Sequence, residues 1–125
     1  MQIADITLND GSAVAQTFKP TQKNNLLVEY KDFTGSYSGM YTSLSCAMRP
    51  AKGDVARKVT IKVVLPYEYN DSDGNTKSNN ITCFTDIVVP STASASEIDD
   101  LIAFASGAIE EAQFTDAIKN GAFPY

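Results

Sequence analysis

Hydrophobic and polar positions alternate with a period of two in two runs of the central chain and partly again before Pro90, after which the period becomes helical. The clearest alternation lies between Thr42 and Pro66. In its first run Leu44, Cys46 and Met48 point one way and Ser43, Ser45, Ala47 and Arg49 the other. In its second run Val59, Ile61 and Val63 oppose Lys58, Thr60, Lys62 and Val64. Pro50-Ala51-Lys52-Gly53-Asp54 between them carries the residues a chain reversal needs. Folded as a hairpin, the pair gathers Ser45, Arg49, Lys58, Thr60 and Lys62 on one open surface, cationic and rich in hydroxyls. Its apolar side requires a cover.

The remaining elements follow in order. Residues Ile3 to Leu8 and Val14 to Phe18 read as strands joined at Asn9-Asp10-Gly11-Ser12, where Asp-Gly signals a hairpin. Lys19 to Asn25 reads as a loop, Leu26 to Lys31 as a strand, and Phe33 to Met40, with Gly35 and Gly39, as a turn-rich connection. After the central pair, Tyr67 to Asn79 is polar and reads as a long loop, and Ile81 to Val89 as the last strand. Ser94-Ala95-Ser96-Glu97 fits a capping box, followed by Ile98, Leu101, Ile102, Ala105, Ile109 and Ala112 at helical spacing. A short second helix is predicted from Thr115 to Asn120, closed by Gly121. Strands first and helices last make an α+β chain with an antiparallel sheet. The expected layout is a single domain: hairpin in 1–20, sheet in 26–90, helices in 94–121. A single sheet with two modest helices encloses little, so a dimer is expected.

Charge changes the picture. The chain of 125 residues carries a net charge of −5. Residues 42–66 nonetheless hold Arg49, Lys52, Arg57, Lys58 and Lys62 against Asp54 alone, a local charge of +4, which leaves −9 for the rest. One sheet segment is therefore basic in an acidic chain, a pattern that suits a nucleic-acid surface or a solvated strand face. Cys46 and Cys83 supply neither a metal set nor a disulfide framework, and both are expected as buried free thiols on apolar strand faces. The chain has no His, which removes the commonest general base. No apolar run has the length of a membrane span and no signal-peptide pattern is present, so a cytoplasmic setting is expected.

The order of these pieces resembles the coat proteins of single-stranded RNA bacteriophages of the levivirus type. The resemblance rests on the Asn9-Asp10-Gly11 hairpin, on Ser45-Cys46 leading to Arg49, and on Arg57-Lys58-Val59-Thr60-Ile61-Lys62-Val63 ending at Pro66. The strand ending at Pro90, the paired helices and Tyr125 also fit. The resemblance implies an N-terminal β-hairpin, a five-stranded antiparallel sheet and two C-terminal helices, in an interlocked homodimer. It implies assembly into an icosahedral shell, usually T=3, around a single-stranded RNA genome, assembled in a bacterial cytoplasm and found in the virion. It further implies an inner sheet face that binds an RNA stem-loop, with a translational repressor or packaging role. Ser45, Arg49, Lys58, Thr60 and Lys62 match positions that contact RNA in family members. Thr82 and Phe84 stand where some members have a base-stacking Tyr and a hydrogen-bonding Asn, and Ala47 replaces a hydroxyl residue. Phe84 can still offer a stacking face.

Tyr67 to Asn79 corresponds to the loop around the shell's symmetry axes and holds no cysteine for crosslinking. A calcium reading of Asp71, Asp73 and Gly74 would need an acid where Tyr69 stands and Glu where Asn80 stands. No metal, cofactor, membrane or small-molecule substrate is therefore expected. The competing readings are a small nucleic-acid-binding module that forms no shell, and an enzyme. The second lacks any nucleophile elbow, P-loop or His-based constellation.

Overall fold

Six strands follow one another in space as they do in sequence, so the sheet is an antiparallel meander of order β1-β2-β3-β4-β5-β6. The computed structural model describes residues 4–37, 40–53 and 56–122. The strands are β1 (Ile6–Asn9), β2 (Ala15–Lys23), β3 (Leu27–Tyr37), β4 (Met40–Arg49), β5 (Arg57–Asn70) and β6 (Thr76–Val89). Two helices follow, α1 (Ala95–Glu110) and α2 (Ala112–Asn120). The chain divides into two compact units, Met1–Val88 and Val89–Tyr125, so the sheet and the helices form separate bodies. The expectations placed on Ile3, Gly39, Asp54 and Tyr125 lie outside the described residues.

The sheet departs from the sequence reading mainly in strand length. The expected loop Lys19 to Asn25 is strand as far as Lys23, because β2 serves two partners. Its first half pairs β1, with Phe18 opposite Ile6, and its second half pairs β3, with Lys19 opposite Lys31. The N-terminal hairpin is thus continuous with the sheet: its two strands and the four that follow make six, where the resemblance implied a hairpin and a separate five-stranded sheet. The register shifts between Pro20 and Gln22, where proline has no N–H to give a ladder. Thr21 partly makes this good by donating its hydroxyl to the Glu29 carbonyl at 3.3 Å. The expected connection after Lys31 is strand to Tyr37, with an irregularity between Asp32 and Tyr37 and an edge-on contact of Phe33 with Tyr41 at 4.9 Å. The expected long loop 67–79 is mostly hairpin: β5 runs through Pro66 to Asn70 and β6 begins at Thr76. Solvated strands need no apolar alternation, so polarity alone misread this stretch.

Two turns share one wiring. Asp10 and Asp71 each open a reversal in which their backbone N–H meets the carbonyl four residues on, Val14 and Asn75 respectively, at 2.9 Å. Each carboxylate then ties the turn from inside. Asp10 Oδ1 accepts from the N–H groups of Ser12 and Val14, and Asp71 Oδ1 from those of Asp73 and Asn75. The fourth residue takes a left-handed conformation, with φ of 61° at Ala13 and 81° at Gly74. Asp-Gly at 10–11 therefore makes a hairpin by a route other than the expected one. The aspartate side chain organises the turn, and the positive φ falls on Ala13 rather than on Gly11.

In the helical unit the capping box forms as read. The Ser94 Oγ accepts from the Glu97 N–H at 3.3 Å, and the Glu97 carboxylate accepts from the Ser94 N–H at 3.2 Å. The second helix starts at Ala112, earlier than expected, because the break falls at Glu111, whose ψ of 133° is extended. Thr115 bridges the joint by donating its hydroxyl to the Ile109 carbonyl at 3.0 Å. Gly121 closes α2 at φ 69°, its N–H reaching the Ala117 carbonyl.

Hydrophobic burial within the chain is slight. Among the described residues only Phe18 and Val89, at 6% and 8% exposure, are buried hydrophobics. Neither helix buries a residue fully, and Phe104 and Ile118 are 74% and 70% exposed.

Candidate nucleic-acid interface

The face anticipated from alternation is assembled by register. Residues directly opposite in an antiparallel pair share a face. Ser45 lies opposite Lys62, Ala47 opposite Thr60, and Arg49 opposite Lys58. The other face pairs Leu44 with Val63, Cys46 with Ile61 and Met48 with Val59, so the polar and apolar sets separate as read. The polar face extends onto β3, since Glu29 lies opposite Ser45 and Lys31 opposite Ser43. Lys19, opposite Lys31, continues it onto β2.

Strand β6 completes the surface through side-chain contacts. The Lys62 ammonium lies 5.3 Å from the centre of the Phe84 ring, within cation–π range. Thr60 donates its hydroxyl to Asp86 Oδ1 at 2.6 Å, and Lys58 Nζ stands 3.8 Å from Asp86 Oδ2. Phe84 and Asp86 are two apart, so both use the face of Lys58, Thr60 and Lys62, and Thr82 follows by the same period. All seven anticipated residues, Ser45, Arg49, Lys58, Thr60, Lys62, Thr82 and Phe84, thus fall on one face. A shallow depression lined by Ala47, Met48, Arg49, Lys58 and Thr60 sits where the methyl of Ala47 leaves room.

Three features of this surface escaped the sequence reading. Its cations include Lys19 and Lys31, which lie outside 42–66. It also carries two carboxylates, Glu29 and Asp86, against Lys19, Lys31, Arg49, Lys58 and Lys62. Glu29 pairs with Lys31 at 3.8 Å. The period of two running on from Phe84 would have found Asp86. Glu29 needed the strand register, which no local pattern carries. Finally, the Arg49 guanidinium donates to the Ala56 carbonyl at 3.3 Å, which holds it across the mouth of the β4–β5 turn.

One expectation elsewhere needs amendment. Cys46 is half-buried and Cys83 is exposed, both as free thiols, because nothing in the sheet unit covers the apolar face on which they lie. The Asp71 carboxylate is engaged in its own turn and with Lys77 at 3.3 Å. Among the described residues no group of three or more His, Cys, Asp or Glu side chains could hold a metal ion, and no helix is long and apolar enough to cross a membrane.

The whole chain matches a family model. The model describes the levivirus coat protein and covers residues 1–125. No curated protein sequence matches. Among solved structures, the virus-like particle of bacteriophage AVE019 is similar with a TM-score of 0.91 at 18% identity, covering 100% of both chains. The virus-like particle of bacteriophage NT-214 gives 0.81 at 20% identity, again over 100% of both chains. A structure described as an unassembled virus coat protein dimer and bacteriophage RNA-binding dimer gives 0.68 at 20% identity, over 97% of this chain and 96% of its own. At these identities the likeness is one of fold.

Proposed function

Since this chain belongs to the levivirus coat protein family, and so is a capsid protein of the virion, we propose that it dimerises and encloses single-stranded RNA against its polar sheet face. The observation that carries the RNA reading is the surface itself. Five cations, the hydroxyls of Ser45, Thr60 and Thr82, and the ring of Phe84 share one face of a chain whose net charge is −5. Lysine and arginine neutralise phosphates, hydroxyls bond phosphates or base edges, and an exposed ring stacks an unpaired base. The acidic remainder repels RNA, which favours one binding face over a general coating. A stem-loop ligand, with a role in packaging or in repressing translation, is the form of RNA that this reading anticipates.

Dimerisation is supported by what the chain leaves uncovered. Leu101, Ile102, Phe104 and Ile109 on α1, with Phe114 and Ile118 on α2, are exposed side chains of a size that water penalises. Covering each fully stabilises by roughly 1.5–3 kcal/mol. Ile61, Met48 and Cys83 on the apolar sheet face offer a matching surface, and a second copy of the chain would bring helices to sheet. The test is electron microscopy of the expressed protein combined with ultraviolet absorbance of the purified species. Closed particles with a nucleic-acid absorbance that nuclease cannot remove are expected. A small soluble species free of RNA would refute the proposal.

A further inference from the structure

An acid in the middle of a cationic RNA surface calls for a reason. Asp86 is half-exposed, with 49% of its side chain open to solvent, so burial does not account for it. Nor does the fold need its charge for the β5–β6 pairing, which backbone bonds provide. Its position is specific nonetheless: Oδ1 is held by the Thr60 hydroxyl at 2.6 Å, and Oδ2 faces the Lys58 ammonium at 3.8 Å. Phe84, a ring that can stack a base, is on the same strand and face, two residues away, with Lys62 over it.

We propose that Asp86 is a specificity-determining residue that reads the Watson–Crick edge of an unpaired guanine. This rests on the reading of the face as an RNA surface. A carboxylate repels phosphate and accepts hydrogen bonds only, so the ligand that suits it is a base edge presenting N–H donors. Guanine presents two adjacent donors, N1–H and N2–H, beside the O6 acceptor. The two carboxylate oxygens retain free lone pairs for the donors, since Thr60 uses one pair on Oδ1. Lys58, already beside Oδ2, supplies a donor for O6. Thr60 acts here as a positioning residue, since its hydroxyl fixes the orientation of the carboxylate. Adenine and cytosine each offer only an exocyclic amino group, and uracil a single ring N–H, so they satisfy the arrangement less completely.

The test compares the full-length protein with its Asp86→Asn variant, both checked for the same assembly state by size exclusion. The probes are oligouridine and the same oligomer with one central guanosine, adenosine or cytidine. The parent is expected to favour the guanosine oligomer over plain oligouridine by roughly tenfold, the scale of one bidentate base contact. In Asp86→Asn that ratio should fall toward one, while plain oligouridine binds at least as tightly because a repelling charge is gone. An unchanged ratio with uniformly tighter binding of all four probes would overturn the proposal and leave Asp86 as a simple ion-pair partner. Absence of a guanosine preference in the parent would overturn it equally. Failure of the underlying RNA-face reading has a different signature: an Arg49→Ala, Lys62→Ala variant would then bind plain oligouridine as well as the parent does.

Discussion

Ala13 sits where its counterpart in the second turn is a glycine. Both turns are tied by an aspartate in the same way, but Ala13 holds φ 61° with a Cβ, whereas Gly74 holds 81° without one. A left-handed L-residue costs about 1–2 kcal/mol, partly offset by the unfolded-state freedom that glycine adds. Ala13→Gly should therefore stabilise the protein by roughly 0.5–1 kcal/mol in chemical denaturation, and Gly74→Ala should destabilise it. No gain in the first variant would contradict the turn geometry. The same two turns carry a pH dependence. Asp10 is held below the usual carboxylate range by the N–H groups of Val14 and Ser12, and Asp71 by that of Asn75 first, with Lys77 and Asp73 assisting against partial desolvation. A lowered folded value means the stabilisation is complete above the ordinary unfolded value of about 3.9. It is lost as pH falls through the folded value. Carboxyl-carbon NMR titration should place both midpoints below that ordinary value, and a midpoint above it for either residue would count against the account.

At the scale of elements, what was legible depended on whether a local chemical rule was at work. Ser94, Glu97 and Gly121 obey such rules, and the helix start and final stop stand where they indicate. Ser94→Ala should cost about 1 kcal/mol, while Ser96→Ala, two residues further in, should cost much less. Equal losses in thermal unfolding would show that the cap is not what Ser94 supplies. Alternation likewise placed Ser45, Arg49, Lys58, Thr60 and Lys62 on one face without any knowledge of register, while Thr82 and Phe84 came from the family resemblance. Strand ends were harder to read, because Pro20 and Pro66 look like stops yet sit within strands, and because polar hairpin residues such as Asn70 and Thr76 pair by backbone and side-chain bonds rather than by burial. Glu29 and Lys31 joined the interface only through pairing with Ser45 and Ser43 across β4, a relation that sequence neighbours do not express. The thiols were misjudged for a related reason. An apolar face predicts that a cover exists, but Cys83 is exposed in a single chain.

Two surfaces bear on the role of the whole molecule, an apolar one on the helices and a charged one on the sheet. For the apolar surface, Ile102→Asp or Ile118→Asp should abolish dimers and particles while leaving the sheet's circular dichroism intact, since neither side chain is buried within its own chain. Assembly of both variants at the parent's concentration would contradict dimerisation through the helices. The charged surface carries the central claim, that the face of Arg49, Lys58, Thr60 and Lys62 holds RNA. Its most direct test is the salt dependence of RNA binding by unassembled protein, parent against the Arg49→Ala, Lys62→Ala double variant. Both side chains lie on the polar face, opposite the apolar set, so the variant should remain folded. Each lost phosphate contact should weaken binding and reduce the slope of log affinity against log salt by about 0.7–0.9. The account predicts a weaker and shallower binding curve in the variant. Binding as tight as the parent's, with the same slope, would contradict it.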